Sequence, residues 1–220
     1  MARISKGILG GVSGKIGNVV GGNWKGIDYL RSLPASVANP RTPAQQYVRM
    51  RFATVIAFLR PLREFLRIGY SSYAVKMTAL NAATSYLMRN ALTGSFPDVV
   101  VDLEKVKVSR GNLRATSQAM VASPAPAQIE LQWIDESDLS AASPTDQAFV
   151  VIVNPARADV QYRMEAAPRS AEQAVINLPA AYTGDEVHVY LGFSALSELV
   201  ATGARNNISD SVYAGSVVVA

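Results

Sequence analysis

Few side chains in this sequence could carry out chemistry. There is one histidine, His188, and there is no cysteine, which excludes disulfides, thiolate metal sites and a cysteine nucleophile. A Ser-His-Asp triad could use only His188, and it would also need an orienting carboxylate and an exposed nucleophile, which nothing in the sequence indicates. The sequence therefore predicts a protein that is not an enzyme and that needs no cofactor.

Two other patterns resemble binding sites without matching them. Gly14 and Lys15 suggest a phosphate-binding loop, but that loop needs a glycine where Leu9 stands and a Ser or Thr where Ile16 stands. Four carboxylates after Trp133 could hold Ca²⁺, although their spacing is not that of an EF-hand, and we interpret them as a solvated acidic loop. They are Asp135, Glu136, Asp138 and Asp146. We expect no metal site.

The charges divide the chain into two halves of opposite sign. Residues 1–95 hold 13 Lys and Arg against 2 Asp and Glu, a net charge of +11, whereas residues 96–220 hold 8 against 15, a net charge of −7. Such asymmetry is typical of a basic surface that meets an anionic partner. Nucleic acid, a membrane surface and the acidic half of a second copy of the chain all fit.

Neither a signal peptide nor a membrane span is predicted. The N-terminal residues contain no apolar run long enough for a signal peptide, so Sec export is not expected. The most apolar helix is interrupted by arginines and falls short of the roughly 18 apolar residues that span a bilayer. We expect synthesis in the cytoplasm, with a virion or an extracellular assembly as final locations that stay open.

The first predicted segment, residues 1–38, is a glycine-rich basic arm. It carries eight of the fifteen glycines, and its residues from Asn18 to Arg31 are predicted to form two short strands that turn between Asn23 and Gly26. Because a hairpin of this length is marginal alone, we expect it to lie on the rest of the chain or on another subunit. The candidate contact residues in the arm are Lys15, Val19, Val20, Trp24, Lys25 and Arg31.

The second predicted segment, residues 39–95, is a helical hairpin. Thr42 as N-cap, Pro43 as the first helical residue and Gln45 as the partner in a capping box predict the start of its first helix. Pro61 is expected to kink or break this helix near Ala57. A stripe of apolar residues predicts one buried face. The stripe consists of Val48, Phe52, Val55, Leu59, Leu62 and Leu66.

Three arginines on another side of the first helix are further candidate contact residues. A solvated face, an anion-binding surface and an intersubunit salt-bridge surface all fit them. They are Arg60, Arg63 and Arg67. Gly69 is the predicted C-cap of this helix, and a second helix is predicted from Ser71 or Ser72 to Gly94.

The third predicted segment, residues 96–220, is an immunoglobulin-like antiparallel β-sandwich. The period of its apolar residues is about 2, and turn residues separate seven or eight short strands. Trp133 and alternate residues from Val187 to Phe193 should point into the core, and the residues around Tyr182 resemble the tyrosine corner of fibronectin type III and related sandwiches. The predicted strands are Val99–Val108, Asn112–Val121, Gln128–Ile134, Gln147–Val153, Asp159–Met164, Glu172–Leu178, Glu186–Phe193 and Ile208–Val219. Together the three segments predict an α+β fold.

Several motifs together carry a resemblance to a known family. They are Gly14-Lys15-Ile-Gly17-Asn18-Val-Val-Gly21, Trp24-Lys-Gly26, Arg31-Ser-Leu-Pro34, Asn39-Pro-Arg-Thr-Pro-Ala-Gln45 and Ile208-Ser-Asp-Ser-Val-Tyr213. With them the whole chain resembles an uncharacterised family, a domain of unknown function, from Bacteroidota bacteria and their phages. The resemblance implies a structural component and transfers no functional residue.

Our leading hypothesis is a self-assembling structural protein of a virion, filament or tube. In this hypothesis the arm adds strands to a neighbouring copy and the basic half meets an acidic sandwich. Other virion or surface-assembly proteins are further candidate partners. One alternative is a nucleic-acid-binding module that uses the basic half, with an affinity that falls steeply with salt. A second alternative is a surface adhesin with a carbohydrate-binding sandwich, although the missing signal peptide argues against it.

Overall fold

The computed structural model describes residues 3–4, 10–24, 26–36, 41–137, 142–195 and 207–220. It divides into two compact units, Met1–Thr42 and Pro43–Ala220, and each is described by itself. We predicted three segments with boundaries after residues 38 and 95. The boundary after 95 does not separate two compact units, because the helices before it and the strands after it share one hydrophobic core.

The first unit is a four-stranded antiparallel sheet in the strand order β1-β2-β3-β4. The predicted hairpin is present as its last two strands, and two further strands precede them. The strands are β1 (Arg3–Ile4), β2 (Val12–Ile16), β3 (Val19–Trp24) and β4 (Ile27–Ser32). Two-residue turns join β2 to β3 and β3 to β4, and each contains a glycine with positive φ, +55° at Gly17 and +89° at Gly26.

The second unit begins with three helices. They are α1 (Pro43–Leu59), α2 (Arg63–Gly69) and α3 (Ala79–Asn90). The start of α1 at Pro43 confirms the prediction. The predicted break at Pro61 is also present, but α1 continues to Leu59 rather than ending near Ala57, since the proline ring obstructs only the turn immediately before it.

The predicted start of the second helix was wrong. Ser71–Tyr73 form a single 3₁₀ turn, and α3 begins only at Ala79, where the Thr78 hydroxyl accepts a hydrogen bond from the Asn81 N–H at 3.2 Å. A threonine N-cap of this kind satisfies one of the free donors at a helix start. The N-cap of the second helix is therefore Thr78 and not Ser71 or Ser72.

The strands of the second unit form two larger sheets and one small ribbon. β5 (Leu92–Thr93) pairs with β6 (Val100–Val101). One sheet has the order β11-β8-β7 and the other the order β10-β9-β12-β13, and all their neighbouring pairs are antiparallel. Their strands are β7 (Ala119–Ala125), β8 (Gln128–Trp133), β9 (Gln147–Asn154), β10 (Asp159–Pro168), β11 (Gln173–Asn177), β12 (Glu186–Ser194) and β13 (Val212–Val218).

These elements stack in three layers, with the four-stranded sheet in the middle. On one of its faces Val150 and Ile152 form a core with the three-stranded sheet. Trp133 of the three-stranded sheet points into this core, as predicted. On the other face Phe149 and Val151 join a core with the helices. β12 alternates in the predicted manner: Val187, Val189, Leu191 and Phe193 face the first core, and Tyr190 faces the second.

A close aromatic contact ties the helices to this sheet. The rings of Phe65 in α2 and Phe149 in β9 lie with their centroids 5.4 Å apart. The Phe149 ring occupies the space above Gly192 on the paired strand, where a Cβ atom would lie 2.2 Å from it. The glycine is needed at this position because any side chain would displace the ring on which α2 packs.

The strand predicted over Val99–Val108 was wrong beyond its second and third residues. The segment after β6 binds side chains instead of a neighbouring strand: the Tyr190 hydroxyl donates to the Leu103 carbonyl and the Tyr70 hydroxyl to the Lys107 carbonyl, both at 2.8 Å. Burial raises the pKa of both tyrosines, so both remain donors. Alternate residues of this segment, such as Val106 and Val108, are buried against the helices. Burial of alternate residues gives the same sequence period as a strand, which is why a strand was predicted.

The apolar stripe of α1 is buried over only part of its length. Val55 and Leu59 are completely buried, as are Leu62 and Leu66 beyond the helix break. Val48 and Phe52, which we predicted to be core, are 55% and 52% exposed. The helical period identified the face correctly, but the first turns of α1 have no neighbouring element in this unit to cover them.

The acidic residues after Trp133 do not act as one loop cluster. Asp146 is buried against the buried Arg169, with its Oδ2 3.3 Å from Nε, which corrects the prediction that it is solvated. Asp135 accepts hydrogen bonds from Ser137, and Glu136 forms an ion pair with Arg114 at 3.1 Å. Asp138 lies outside the described residues.

Tyr182, the residue of the predicted tyrosine corner, lies between strands of two sheets, but its hydroxyl bonds a side chain on a distant strand instead of tying its own turn. Tyr182, in a 3₁₀ turn between β11 and β12, is 2% exposed, and its hydroxyl donates to Asp159 Oδ2 of β10 at 2.7 Å. This hydrogen bond is the main reason why the pKa of Asp159 is lowered from its ordinary value, and burial raises the pKa of Tyr182 to about 12. The neutral hydroxyl therefore stabilises the charged carboxylate.

We expect Tyr182→Phe to lower the free energy of unfolding by about 1.5–3 kcal/mol at pH 7, the range for a hydrogen bond to a charged group. Because the native pKa of Asp159 is depressed, this contribution is complete above about pH 5 and is lost as the pH falls through that pKa. Urea unfolding of both proteins at several pH values between 3 and 7 measures it. A difference that stays constant below about pH 4 would contradict the assignment.

Candidate functional site

The outer strand of the N-terminal sheet, β4, is open along one whole side. It stands at the edge of the sheet, and all six of its residues are exposed, with Ile27 at 68% and Leu30 at 63%. An edge strand presents unpaired backbone donors and acceptors, which proteins usually protect with charges, bulges or a covering element. β4 carries one Asp and one Arg and no bulge, so it is suited to pair with another strand.

Three glycines of this unit are closely approached by neighbouring strands, by backbone atoms at one position and by side chains at two. A Cβ atom on Gly21 would lie 2.0 Å from the Val12 carbonyl oxygen, and one on Gly11 would lie 2.1 Å from the Asp28 carboxylate. The ring of Tyr29 covers Gly22, where a Cβ atom would lie 2.9 Å from it. The glycines thus allow β2 to cross close over β3 and β4, which no larger residue would permit.

The single acidic residue of this unit has partners within the sheet. Asp28 Oδ1 accepts a hydrogen bond from Asn23 Nδ2 at 2.8 Å, and Asn23 Oδ1 accepts one from the Gly26 N–H at 3.0 Å. Residues 1–42 contain six Lys and Arg and one Asp, a net charge of +5. Among the described residues, Asp28 forms no ion pair with a basic side chain of the unit.

The strand register gives the sheet two different faces. Lys15, Val20 and Arg31 stand opposite one another on three adjacent strands, and Tyr29 lies on the same face, opposite Gly22. The other face carries Ile16, Val19 and Leu30, which are 50%, 40% and 63% exposed. One face is therefore basic with an aromatic ring, and the other is apolar.

The structure brings together only some of the residues that we predicted as contacts. Lys15, Val20 and Arg31 form the basic row, whereas Val19 lies on the apolar face. The backbone of Trp24 pairs with that of Ile27, and Lys25 lies outside the described residues.

The three predicted arginines belong to the second unit, around the break between α1 and α2. Arg60, Arg63 and Arg67 are all exposed, in agreement with a solvated face. Arg67 forms an ion pair with Glu64 at 3.1 Å, in which both side chains are at least 65% exposed. Such a pair contributes little to stability, so these arginines remain available to an anion.

Four exposed apolar residues were missed as contact candidates. Ile27 and Leu30 were predicted only as strand residues, and Val48 and Phe52 only as core. A signal for Leu30 was present in the sequence, because the strand that pairs with it has glycine at the opposite position, Gly21, and a glycine cannot cover a neighbouring side chain. No comparable signal was available for Phe52.

His188 lies among aromatic groups on the four-stranded sheet. Its Nδ1 is 2.8 Å from the Tyr213 hydroxyl, the two rings are stacked with centroids 6.0 Å apart, and burial lowers the pKa of the imidazole.

In the described parts of the chain, no three His, Asp or Glu side chains come together as metal ligands. None of the helices in those parts has the length and hydropathy needed to cross a bilayer.

Residues 11–215 match the model of a family described as a family of unknown function, DUF6266. The chain belongs to this family. The match extends into both compact units and includes β2, β3 and β4 of the N-terminal sheet. No curated protein matches the sequence. Among solved structures, the fibronectin type III domain of the human collagen alpha-1(XX) chain is similar over 50% of this chain and 87% of that one, at 12% identity and a TM-score of 0.35, too low to support an inference.

We expect Gly21→Ala to disrupt the N-terminal sheet and leave the second unit intact, because the added Cβ atom would clash with the backbone of β2 and Gly21 contributes to neither hydrophobic core. Hydrogen exchange read by mass spectrometry should show at least about tenfold faster exchange in β3 and β4. Ser13→Ala, at an exposed position of β2, is the matched control. Unchanged exchange in Gly21→Ala would show that the crossing of β2 over β3 is not tight.

Proposed function

We propose that this DUF6266 protein is a non-enzymatic structural protein that self-assembles, with β4 of one copy adding to a strand of another. The observation that carries the proposal is the burial pattern of the N-terminal unit. Among the residues of this unit whose burial the structure describes, only Gly21 is buried, so none of these side chains lies in a core. A sheet without buried side chains gains little from the hydrophobic effect, and a partner that covers it supplies the missing burial.

A second copy of the chain suits the exposed surfaces best. β4 offers six residues of open backbone for strand addition, and the sheet beside it offers the apolar side chains of Ile16, Val19 and Leu30. Each copy also presents Val48 and Phe52 on α1. If two β4 strands pair about a twofold axis, the result is a closed dimer; if β4 pairs with a different edge, assembly continues as a filament or tube.

The charges favour the same partner. The first 42 residues carry a net charge of +5, whereas residues 96–220, which include both larger sheets, carry −7. Attraction between the N-terminal sheet of one copy and the sandwich of the next would steer their encounter and would weaken with salt.

We propose further that the two larger sheets form an immunoglobulin-like sandwich and that the protein is a subunit of a larger assembly. The strand orders β7-β8-β11 and β10-β9-β12-β13, with Tyr182 at the corner before β12, support an immunoglobulin-like sandwich of the fibronectin type III kind. The resemblance to a family of Bacteroidota and their phages supports a role as a subunit of a virion, filament or tube.

We expect the intact protein to form oligomers and the double variant Ile27→Lys/Leu30→Lys to be monomeric, because lysines on an edge strand oppose strand addition. Light scattering and negative-stain microscopy measure both, and they distinguish a closed dimer from a filament. Val75→Lys is the control, since Val75 is 65% exposed and lies outside every strand. Removal of residues 1–42 tests the same point, because both hydrophobic cores lie in the remaining chain. An intact chain that stays monomeric at high concentration, with β4 protected from exchange, would exclude the proposal.

The basic face supports nucleic-acid binding as a second candidate function. Lys15 and Arg31 flank Val20, and Tyr29 stands on the same face, which places two cations and an aromatic ring on one exposed surface. Basic residues that follow a backbone and rings that stack on bases are the usual elements of single-strand binding.

If nucleic acid binds there, the slope of log K against log salt for single-stranded DNA is negative. Lys15→Ala/Arg31→Ala should make it less steep by about 1.4, since each lost phosphate contact removes about 0.7. Fluorescence anisotropy measures this slope. Arg163→Ala removes one exposed cation from the sandwich and serves as the control. Equal slopes for all three proteins would exclude the basic face.

A further inference from the structure

A small open pocket lies at the surface of the second unit, between α3, the 3₁₀ turn Ser71–Tyr73 and Arg110. Its volume is about 210 Å³. Tyr73, Tyr86 and Met77 supply aromatic and apolar lining, and Arg89 and Arg110 supply two positive charges. No acidic side chain lines it.

Arg110 is held in place by two aromatic rings. Its guanidinium carbon lies 4.2 Å from the centroid of the Tyr73 ring and 4.8 Å from that of Tyr86. Its backbone N–H donates to the Gly69 carbonyl at 2.8 Å. A guanidinium fixed in this way loses little conformational entropy when it binds a further group.

Neither arginine of the pocket has a carboxylate partner among the described residues, and the buried Arg110 Nε makes no hydrogen bond. The nearby Asp210 is engaged elsewhere: it forms an ion pair with Lys107 and accepts a hydrogen bond from the Gly111 N–H at 3.1 Å. By contrast, five other cations in the second half of the chain each pair with a carboxylate. These five are Lys105, Lys107, Arg114, Arg157 and Arg169.

We propose that this pocket binds an organic carboxylate. The carboxylate accepts hydrogen bonds from Arg89 and Arg110, and an apolar or aromatic stem packs between Tyr73 and Met77. A pocket of about 210 Å³ suits a group of the size of one amino-acid side chain.

A peptide C-terminus and a free carboxylic acid share this chemistry. A second pocket of about 310 Å³ adjoins the first, because Tyr86 and Asn90 line both. It is lined further by Glu104, Lys107 and Tyr213 and offers room for a chain longer than one residue. A peptide would therefore extend into it, and a small free acid would not.

Isothermal titration calorimetry with the full chain tests the site. The probes are 3-phenylpropionate, an acetylated tripeptide that ends in phenylalanine with a free carboxylate, and the amide of each. We expect both acids to bind with dissociation constants near or below about 1 mM and both amides at least about tenfold more weakly. Tighter binding by the peptide would identify a chain terminus as the ligand, and equal or tighter binding by the free acid would identify a small metabolite-sized acid.

Two variants separate a binding role from a structural one. Arg89 is exposed in the last turn of α3, so Arg89→Gln should fold normally and weaken acid binding about tenfold. Arg110→Lys keeps the charge but loses the planar contact with the rings, and should weaken binding similarly. Arg163→Gln is the control and should bind like the unaltered protein. No saturable binding of either acid up to about 10 mM, equal binding of acids and amides, or unchanged binding by Arg89→Gln would overturn the proposal.

Discussion

The coverage of the four-stranded sheet on both faces is the constraint on which the second unit depends. β9 is buried from its second residue to its last, with alternate side chains in two separate cores. The helices can pack on this sheet only because Gly192 leaves room for the Phe149 ring that Phe65 contacts. Since protein interiors are close-packed, a change of volume at this point would act on the helices and on the sandwich together.

Several buried polar groups of this unit bind partners that are far away in the sequence. Tyr70 and Tyr190 donate to carbonyls of the segment that follows β6, and Arg169 contacts Asp146 and donates to the Arg114 carbonyl at 2.5 Å. An unpaired buried polar group is costly, so these contacts specify how the loops lie on the core. Four buried side-chain atoms of the described residues make no hydrogen bond: Nε and Nη1 of Arg169, the Ser194 hydroxyl, and Nε of Arg110, whose guanidinium is stacked between two tyrosines.

The N-terminal sheet follows a different physical logic. Its neighbouring strands approach each other closely at glycines, and of its described side chains those of β4 are exposed while Val12 and Val20 are half-buried. The DUF6266 match begins at residue 11 and so includes three of its four strands completely. The open edge at β4 and the exposed apolar side chains of Ile16, Val19 and Leu30 are the observations on which the proposed assembly rests.

The sequence by itself determined the features that depend on local spacing and capping. These include the start of α1 at Pro43, the break at Pro61, the strands from β8 to β12 within a few residues and the inward side of Trp133. Only the tertiary structure decided what covers each face. Phe52 and Leu59 lie on one helical stripe, yet one is 52% exposed and the other completely buried. The tertiary structure alone also showed that Asp146 pairs with Arg169 and that Arg110 lies between two tyrosine rings. The physical reason is that periodicity identifies an apolar face, whereas burial and charge pairing depend on which distant residues come to lie against it.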